Sequence, residues 1–93
     1  MNLKHSHAGT LESGDILIEI YPTDNEGIDI TLNSTVEYQF GDQIRNLIRS
    51  TAEELGLDSA RINALDKGAL DCTIKARTTA AVVRATGKDV WKD

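Results

Sequence analysis

The sequence has one cysteine, one proline and no long apolar run among its 93 residues. A lone cysteine cannot close a disulfide within the chain, which favours a reducing compartment. No apolar stretch approaches the roughly 20 residues that a membrane-spanning helix needs, and none is typical of a secretory signal. We therefore expect a cytoplasmic protein without a membrane anchor.

Basic residues are also scarce, with ten Lys and Arg against fifteen Asp and Glu and a formal net charge of −5. Negative charge repels phosphate backbones and anionic lipids, so we expect no nucleic-acid or membrane partner. The deficit lies in residues 1–44, which hold one base and eight acids, whereas residues 45–93 hold nine bases and seven acids. The acidic half is either ordinary solvated surface or a docking face for basic partners.

The length and the 40% of hydrophobic residues are those of one small globular domain. A domain of this size has little interior for a deep active site. No repeat and no low-complexity linker divides the chain. We expect a flexible tail at residues 1–7, a single domain at residues 8–87 and a C-terminal tail, which includes Trp91, at residues 88–93.

Two segments alternate between apolar and other side chains and therefore predict β-strands. Residues 16–21 place three isoleucines on one side, and residues 28–33 alternate in the same way. Pro22 and the turn-forming residues 23–27 separate the two segments, which predicts an antiparallel hairpin with one apolar face. A short strand through residues 10–11 is expected to precede this hairpin.

Apolar residues at spacings of three and four predict two helices. The first is expected to begin at a capping box in residues 34–37 and to end before Gly56, which suits the left-handed position after a helix. Its apolar stripe comprises Val36, Phe40, Ile44, Leu47, Ile48, Thr51 and Leu55. The second helix is expected from about residue 70 to residue 86, with Gly87 as its stop. One row of this helix comprises Leu70, Ile74, Arg77 or Ala81, and Ala85.

Residues 61–65 are expected to return to the sheet as a further strand. Two strands, a helix, a strand and a helix in this order define an α+β fold. We expect a small, mostly antiparallel sheet of three to four strands with both helices packed on one face.

The segment that is most informative about function surrounds Ser13. Gly14 permits a positive φ, so that Ser13 and Gly14 can form a tight turn with the serine hydroxyl at its tip. The neighbours Glu12 and Asp15 bring no histidine or lysine to remove the proton, so nothing local activates the serine as a nucleophile. From the residues alone, this segment is either a plain turn or the substrate of another enzyme.

Three separated segments are distinctive, namely residues 8–15 (AGTLESGD), 36–42 (VEYQFGD) and 66–72 (DKGALDC). Together they closely resemble the citrate lyase acyl carrier protein family, the gamma subunit of that lyase, and the resemblance extends over about residues 8–87. The resemblance implies that Ser13 carries 2'-(5''-phosphoribosyl)-3'-dephospho-CoA through a phosphodiester. It also implies that Gly14 and Asp15 shape the turn and its recognition.

The same resemblance implies a set of partners and a reaction. An alpha subunit, the acyl transferase, would exchange carried acetyl for citryl, and a beta subunit, the citryl lyase, would release oxaloacetate and restore the acetyl form. A prosthetic-group transferase and an acetate ligase would act on the carrier, which would itself be non-catalytic. One alternative is the related malonate decarboxylase carrier, which also uses a Ser-Gly-Asp turn. Another is a small acidic interaction module without a prosthetic group.

Other candidate residues have weaker patterns. Ser59 lies in LDSA, which is similar to the Asp-Ser-Leu site of phosphopantetheine carriers, but no long amphipathic helix follows it. Cys72 lies near a helix start without an adjacent base and is interpreted as a structural thiol. His5 and His7 have no further ligand nearby, so we expect no metal site. Residues 66–69 lack the spaced glycines of a phosphate loop and are either a helix entry or a subunit contact.

Overall fold

Four strands and two helices make up the described part of the computed structural model, residues 3–35 and 37–87. In chain order they are β1 (Ser6–Ala8), β2 (Ile16–Tyr21), β3 (Ile28–Ser34), α1 (Glu37–Glu54), β4 (Ala60–Asp66) and α2 (Asp71–Thr86). The α+β class and both predicted helices are therefore confirmed. The predicted C-terminal tail, with Trp91, lies outside the described residues.

The sheet is mixed and has the strand order β1-β2-β4-β3. β2 runs antiparallel to β1 and to β4, whereas β3 runs parallel to β4. A mostly antiparallel sheet is thus confirmed, but the predicted hairpin of β2 and β3 is wrong because β4 lies between them. The alternation of side chains identifies the buried face of a strand without identifying its neighbour.

The first strand lies earlier in the chain than predicted. Residues 6 and 7, which we expected in a flexible tail, belong to β1 and pair with β2. Residues 10–11, which we expected in a strand, lie in the loop between β1 and β2. The buried Ser6 hydroxyl donates to the Ala81 carbonyl at 2.7 Å. The polar composition concealed this strand, because the distant acceptor that satisfies a buried serine leaves no local sequence pattern.

Both helices pack on one face of the sheet. α1 contacts β3, α2 contacts β1 and β2, and the two helices contact each other. The core comprises Ala8, Ile16, Ile18, Ile20, Ile28, Leu32, Ile44, Ile48, Ala52, Leu57, Ala60, Ile62, Ala64, Ile74, Ala81, Val82 and Ala85. The opposite face is polar in part, since the Asn63 amide donates to the Glu19 carboxylate at 3.0 Å and His5 stacks on Tyr21 with ring centroids 4.4 Å apart.

The first helix, α1, begins shortly after Ser34, the last residue of β3. The Ser34 hydroxyl, expected in a capping box, donates to the Asp66 carboxylate at 2.7 Å. The predicted stripe includes the buried residues Ile44, Ile48 and Thr51, while Val36 lies outside the described residues. Phe40 is 48% exposed, contrary to the prediction, because the helix begins where β3 ends and its first turn lies at the edge of the core.

The second helix, α2, has the predicted extent. Its buried residues are Ile74, Thr78, Ala81, Val82 and Ala85. Leu70, which we expected in the same row, is instead the N-cap residue and is 71% exposed. Gly56 and Gly87 follow the two helices with φ values of +85° and +74°, as predicted. No helix in residues 3–35 and 37–87 is both long and apolar enough to cross a bilayer.

Candidate functional site

Ser13 lies between β1 and β2, at the end of the sheet where β2 begins and β4 ends. The amide of Asp15 donates to the carbonyl of Glu12 at 3.0 Å, which closes a four-residue turn around Ser13 and Gly14. Gly14 has a φ of +84°, which the third position of a type II turn requires and which glycine adopts without strain. Ser13 is exposed, and none of the described residues hydrogen-bonds to its hydroxyl.

The base of this turn is attached to the residue that follows the central strand β4. The amide of Gly14 donates to the Lys67 carbonyl at 2.7 Å, and the amide of Lys67 donates to the Asp15 carbonyl at 2.9 Å. These two bonds continue the pairing of β2 with β4 beyond the ends of both strands. The root of the turn is therefore held by the sheet while the Ser13 side chain remains at the surface.

The Asp15 carboxylate accepts four hydrogen bonds. Arg77 of α2 donates Nε to Oδ1 at 3.0 Å and Nη2 to Oδ2 at 2.9 Å, so the ion pair is bidentate. The Thr10 hydroxyl donates to Oδ2 at 2.7 Å, and the Ile16 amide donates to Oδ1 at 2.8 Å. The hydrogen bonds from Arg77 are the largest cause of a fall in the pKa of Asp15 from 3.8 to about 2, which desolvation opposes. Asp15 is therefore ionised and fixed between the turn and α2.

Two further residues order the approach to the turn. The Thr10 hydroxyl accepts the Glu12 amide at 3.2 Å in addition to its bond to Asp15. Gly9 lies so close to the Ile16 carbonyl that a side chain at this position would collide with the backbone of β2. The loop before β2 is thus held by the close backbone contact between Gly9 and Ile16 and by the Thr10 hydroxyl, which bonds to both Glu12 and Asp15.

The sequence did not predict that Thr10, Lys67 and Arg77 hold the turn, although Thr10 and Lys67 lie in segments that it singled out. Lys67 and Arg77 are more than 50 positions away from the turn, so no local spacing links them to it. The signal that could have identified Arg77 is its position, since it falls in the otherwise apolar row of α2.

The other candidate residues do not join Ser13. Ser59 lies just before β4, at the opposite end of that strand, and its hydroxyl accepts the Gly27 amide at 3.3 Å. Cys72 is a free, exposed cysteine in the first turn of α2. His5 stacks on Tyr21, and within the described residues no group of three or more His, Cys, Asp or Glu could hold a metal ion.

The arrangement presents a hydroxyl to solvent without activating it. Of the two adjacent carboxylates, Asp15 is engaged by Arg77 and Glu12 is exposed. A serine needs a base within hydrogen-bond reach to act as a nucleophile. The site is therefore better suited to receiving a group from another protein than to attacking a substrate.

Comparisons with known proteins define the class. A family model described as malonate decarboxylase delta subunit (MdcD) matches residues 3–85. A crystal structure of a Pseudomonas malonate decarboxylase hetero-tetramer in complex with malonate contains a chain with the same fold. That chain superimposes with a TM-score of 0.70 at 18% identity, over 90% of this chain and 86% of its own length. The class is that of the small acyl carrier subunits.

Curated relatives narrow this class to one family. The citrate lyase acyl carrier protein of Streptococcus equi subsp. equi (strain 4047) is 57% identical over 88 residues, which cover 92% of this chain and 86% of the relative. The protein of the same name from Streptococcus mutans serotype c is 53% identical with the same coverage. The chain belongs to the citrate lyase acyl carrier protein family, as its three sequence segments predicted.

Proposed function

We propose that this chain is the acyl carrier subunit of a citrate lyase and that Ser13 is its attachment point for 2'-(5''-phosphoribosyl)-3'-dephospho-CoA. The observation that supports this most directly is the exposed hydroxyl of Ser13, which receives no hydrogen bond from the described residues and lies on a turn that the sheet and α2 hold in place. The relatives that share more than half of the sequence carry the name citrate lyase acyl carrier protein.

The residues around Ser13 fit a large covalent group. The hydroxyl already faces solvent, so a phosphodiester at this oxygen would displace no core side chain. Apart from its two chain neighbours, no residue has an atom within 4 Å of where a Cβ of Gly14 would lie, which leaves the space beside the serine open. Asp15 is neutralised by Arg77, and this ion pair reduces the repulsion between the carboxylate and an anionic group on the turn.

The chain would contribute tethering rather than bond chemistry. When attached, the group supplies a terminal thiol that can be acylated. A root fixed by the bonds of residues 14–15 to Lys67 keeps that thiol near successive partner active sites, at an effective concentration that reaches about the millimolar range. The exposed Glu12 and Asp71 near the turn would not bind an anionic arm, so the arm would stay available to partners.

The proposed partners are the alpha (acyl transferase) and beta (citryl lyase) subunits, a prosthetic-group transferase and an acetate ligase. Support for subunit partners comes from the lyase in the relatives' names and from the hetero-tetramer in which the structural neighbour was solved. A cytoplasmic location and a non-catalytic role are parts of the same proposal. The free thiol of Cys72 is compatible with a reducing compartment.

The intact mass of the protein tests the attachment. Coexpression with the enzymes that make and transfer the group should add one nucleotide-sized adduct to the wild-type chain, and tandem mass spectrometry should locate it on Ser13. Ser13→Ala should abolish the adduct, while Ser59→Ala and Cys72→Ala should retain it. An adduct that survives in Ser13→Ala would refute the assignment, and a wild-type chain without any adduct would favour an acidic interaction module.

The malonate decarboxylase carrier is a second candidate, because the family model is described as a malonate decarboxylase delta subunit and the structural neighbour is a chain of a malonate decarboxylase hetero-tetramer. The higher identity to the citrate lyase carriers favours the first candidate. Reconstitution separates the two. The modified chain should restore citrate cleavage when it is mixed with citrate lyase alpha and beta subunits, and it should not support malonate decarboxylation by the corresponding decarboxylase subunits.

A further inference from the structure

Three large apolar side chains are exposed in the described part of the chain. They are Leu11 at 55% exposure, Phe40 at 48% and Leu70 at 71%. We call them the apolar patch. They come from three different segments, namely the loop before β2, the first turn of α1 and the N-cap of α2.

The sheet topology brings these three segments to the end that carries Ser13. Ile16, the first residue of β2, pairs with Asp66, the last residue of β4, and Ser34, the last residue of β3, pairs with the same Asp66. The loop before β2, the start of α1 and the start of α2 therefore all lie at this end of the sheet. Three neighbouring strands span only about 10 Å across a sheet. The apolar patch and the Ser13 turn consequently lie at the same end of the molecule.

Local folding does not account for the leucine at the start of α2. The N-cap position favours Ser, Thr, Asp or Asn, whose side chains bond to free amides of the first turn. Leu70 makes no such side-chain bond and is the most exposed member of the apolar patch. Its side chain is therefore available to a partner at this end of the sheet.

We propose that the apolar patch is the docking surface for the enzyme that attaches the prosthetic group to Ser13. This inference rests on the proposed function. That enzyme must form a bond between Ser13 Oγ and a phosphorus atom of its activated donor while the bond from phosphorus to the donor's leaving group breaks and a base of the enzyme takes the serine proton. Ser13 Oγ is two bonds from the backbone, so the enzyme must cover the surface beside it.

The size of a protein interface indicates which partner would contact the apolar patch. A stable interface covers about 800 Å² on each partner, so an enzyme that binds over Ser13 also covers surface beyond the turn itself. The lyase subunits, in contrast, would act at the far end of a long arm and could do so without touching this surface. Glu12 and Asp71 are exposed beside the apolar patch. A complementary surface on the transferase would therefore have an apolar centre surrounded by basic residues.

Steady-state kinetics of group transfer tests the proposal. The substrates are the apo wild-type chain, Leu11→Ser, Phe40→Gln, Leu70→Ser and the triple variant, each with the cognate transferase and its activated donor. Pro22→Ser, at the opposite end of the sheet, is the matched apolar-to-polar control. Urea unfolding verifies that each variant folds. Leu70→Ser should raise the KM for the carrier about tenfold and the triple variant about a hundredfold, with kcat nearly unchanged.

A second measurement identifies the partner. The triple variant, loaded by prolonged incubation, should cycle with the alpha and beta subunits at the wild-type rate. An unchanged KM in the folded triple variant would overturn the docking surface, and an equal loss in cycling would overturn the assignment to the transferase. Failure of the wild-type chain to gain any group at Ser13 is a separate result, which would refute the proposed function itself.

Discussion

Asp15 is the residue that links the Ser13 turn to the rest of the molecule. Its carboxylate receives bonds from a guanidinium, a hydroxyl and a backbone amide, and its side chain is only 13% exposed. The sequence predicted that Asp15 shapes this turn, but it did not predict Arg77 as the partner. The ion pair joins positions 62 residues apart, and such a pair depends on the packing of α2 against β2.

The stability of the protein should fall as Asp15 becomes protonated. Its pKa is below the usual value, so the ion pair stabilises the fold above about pH 4 and this contribution is lost as the pH falls towards about 2. Arg77 is 42% exposed, so solvent screens the ion pair and its contribution to stability is modest. Arg77→Gln should therefore lower the free energy of unfolding at pH 5 and lower it much less at pH 2.

Urea unfolding between pH 2 and pH 5 measures this difference. Arg84→Gln is the matched control, because Arg84 is exposed and donates to the His7 carbonyl, which does not titrate. The free energy of unfolding of this control should change with pH as that of the wild type does over this range. If the free energy of unfolding of Arg77→Gln depended on pH in the same way as that of the wild type, the role assigned to the ion pair between Arg77 and Asp15 would be contradicted.

At the scale of the elements, β4 organises the fold. It pairs with β2 on one side and with β3 on the other, and it places Ile62 and Ala64 under the helices. The sequence predicted a strand here from residues 61–65, but it did not indicate that this strand is central. Side-chain alternation is a local property, whereas the choice of a neighbour depends on pairing between distant segments. The same reasoning explains the wrong hairpin of β2 and β3.

Substitutions on the two faces of β4 should differ in their effect. Ile62 is fully buried beneath the helices, while Leu65 is half-buried on the opposite face. Ile62→Ala should lower the free energy of unfolding by about 3 kcal/mol, because it removes core contacts and leaves a cavity. Leu65→Ala should cost less than about 1.5 kcal/mol. Urea unfolding of both variants provides the comparison, and equal losses would mean that the helices do not cover a single face.

At the scale of the whole molecule, charge is divided unevenly along the chain. Residues 1–44 hold one base and eight acids. Some of these acids already have partners within the fold, as Glu19 does with Asn63, whereas Glu12 and Asp24 are exposed. Exposed acids of this kind increase the rate of encounter with basic partners at low salt.

Neutralising the exposed acids of the first half should slow association with the lyase subunits. Glu12→Gln combined with Asp24→Asn is expected to lower the association rate about two- to fivefold at low salt and to weaken its salt dependence. Glu53→Gln combined with Glu54→Gln is the matched control, since it changes the net charge equally in the other half. Stopped-flow measurements compare the association rates of the two double variants, and equal effects would indicate that only the total charge matters.

Local pattern was sufficient for the extents of both helices, for the β2 strand and for the glycine turn beside Ser13, because periodicity and glycine conformation act over a few neighbouring residues. The family could be identified from the sequence for a similar reason, since the resemblance lies in three short segments. Only the folded chain established the strand order and the position of β1. It was also needed to reveal the ion pair between Arg77 and Asp15 and the exposure of Phe40 and Leu70. These features depend on contacts between segments far apart in sequence, which form only when the sheet and its helices pack together.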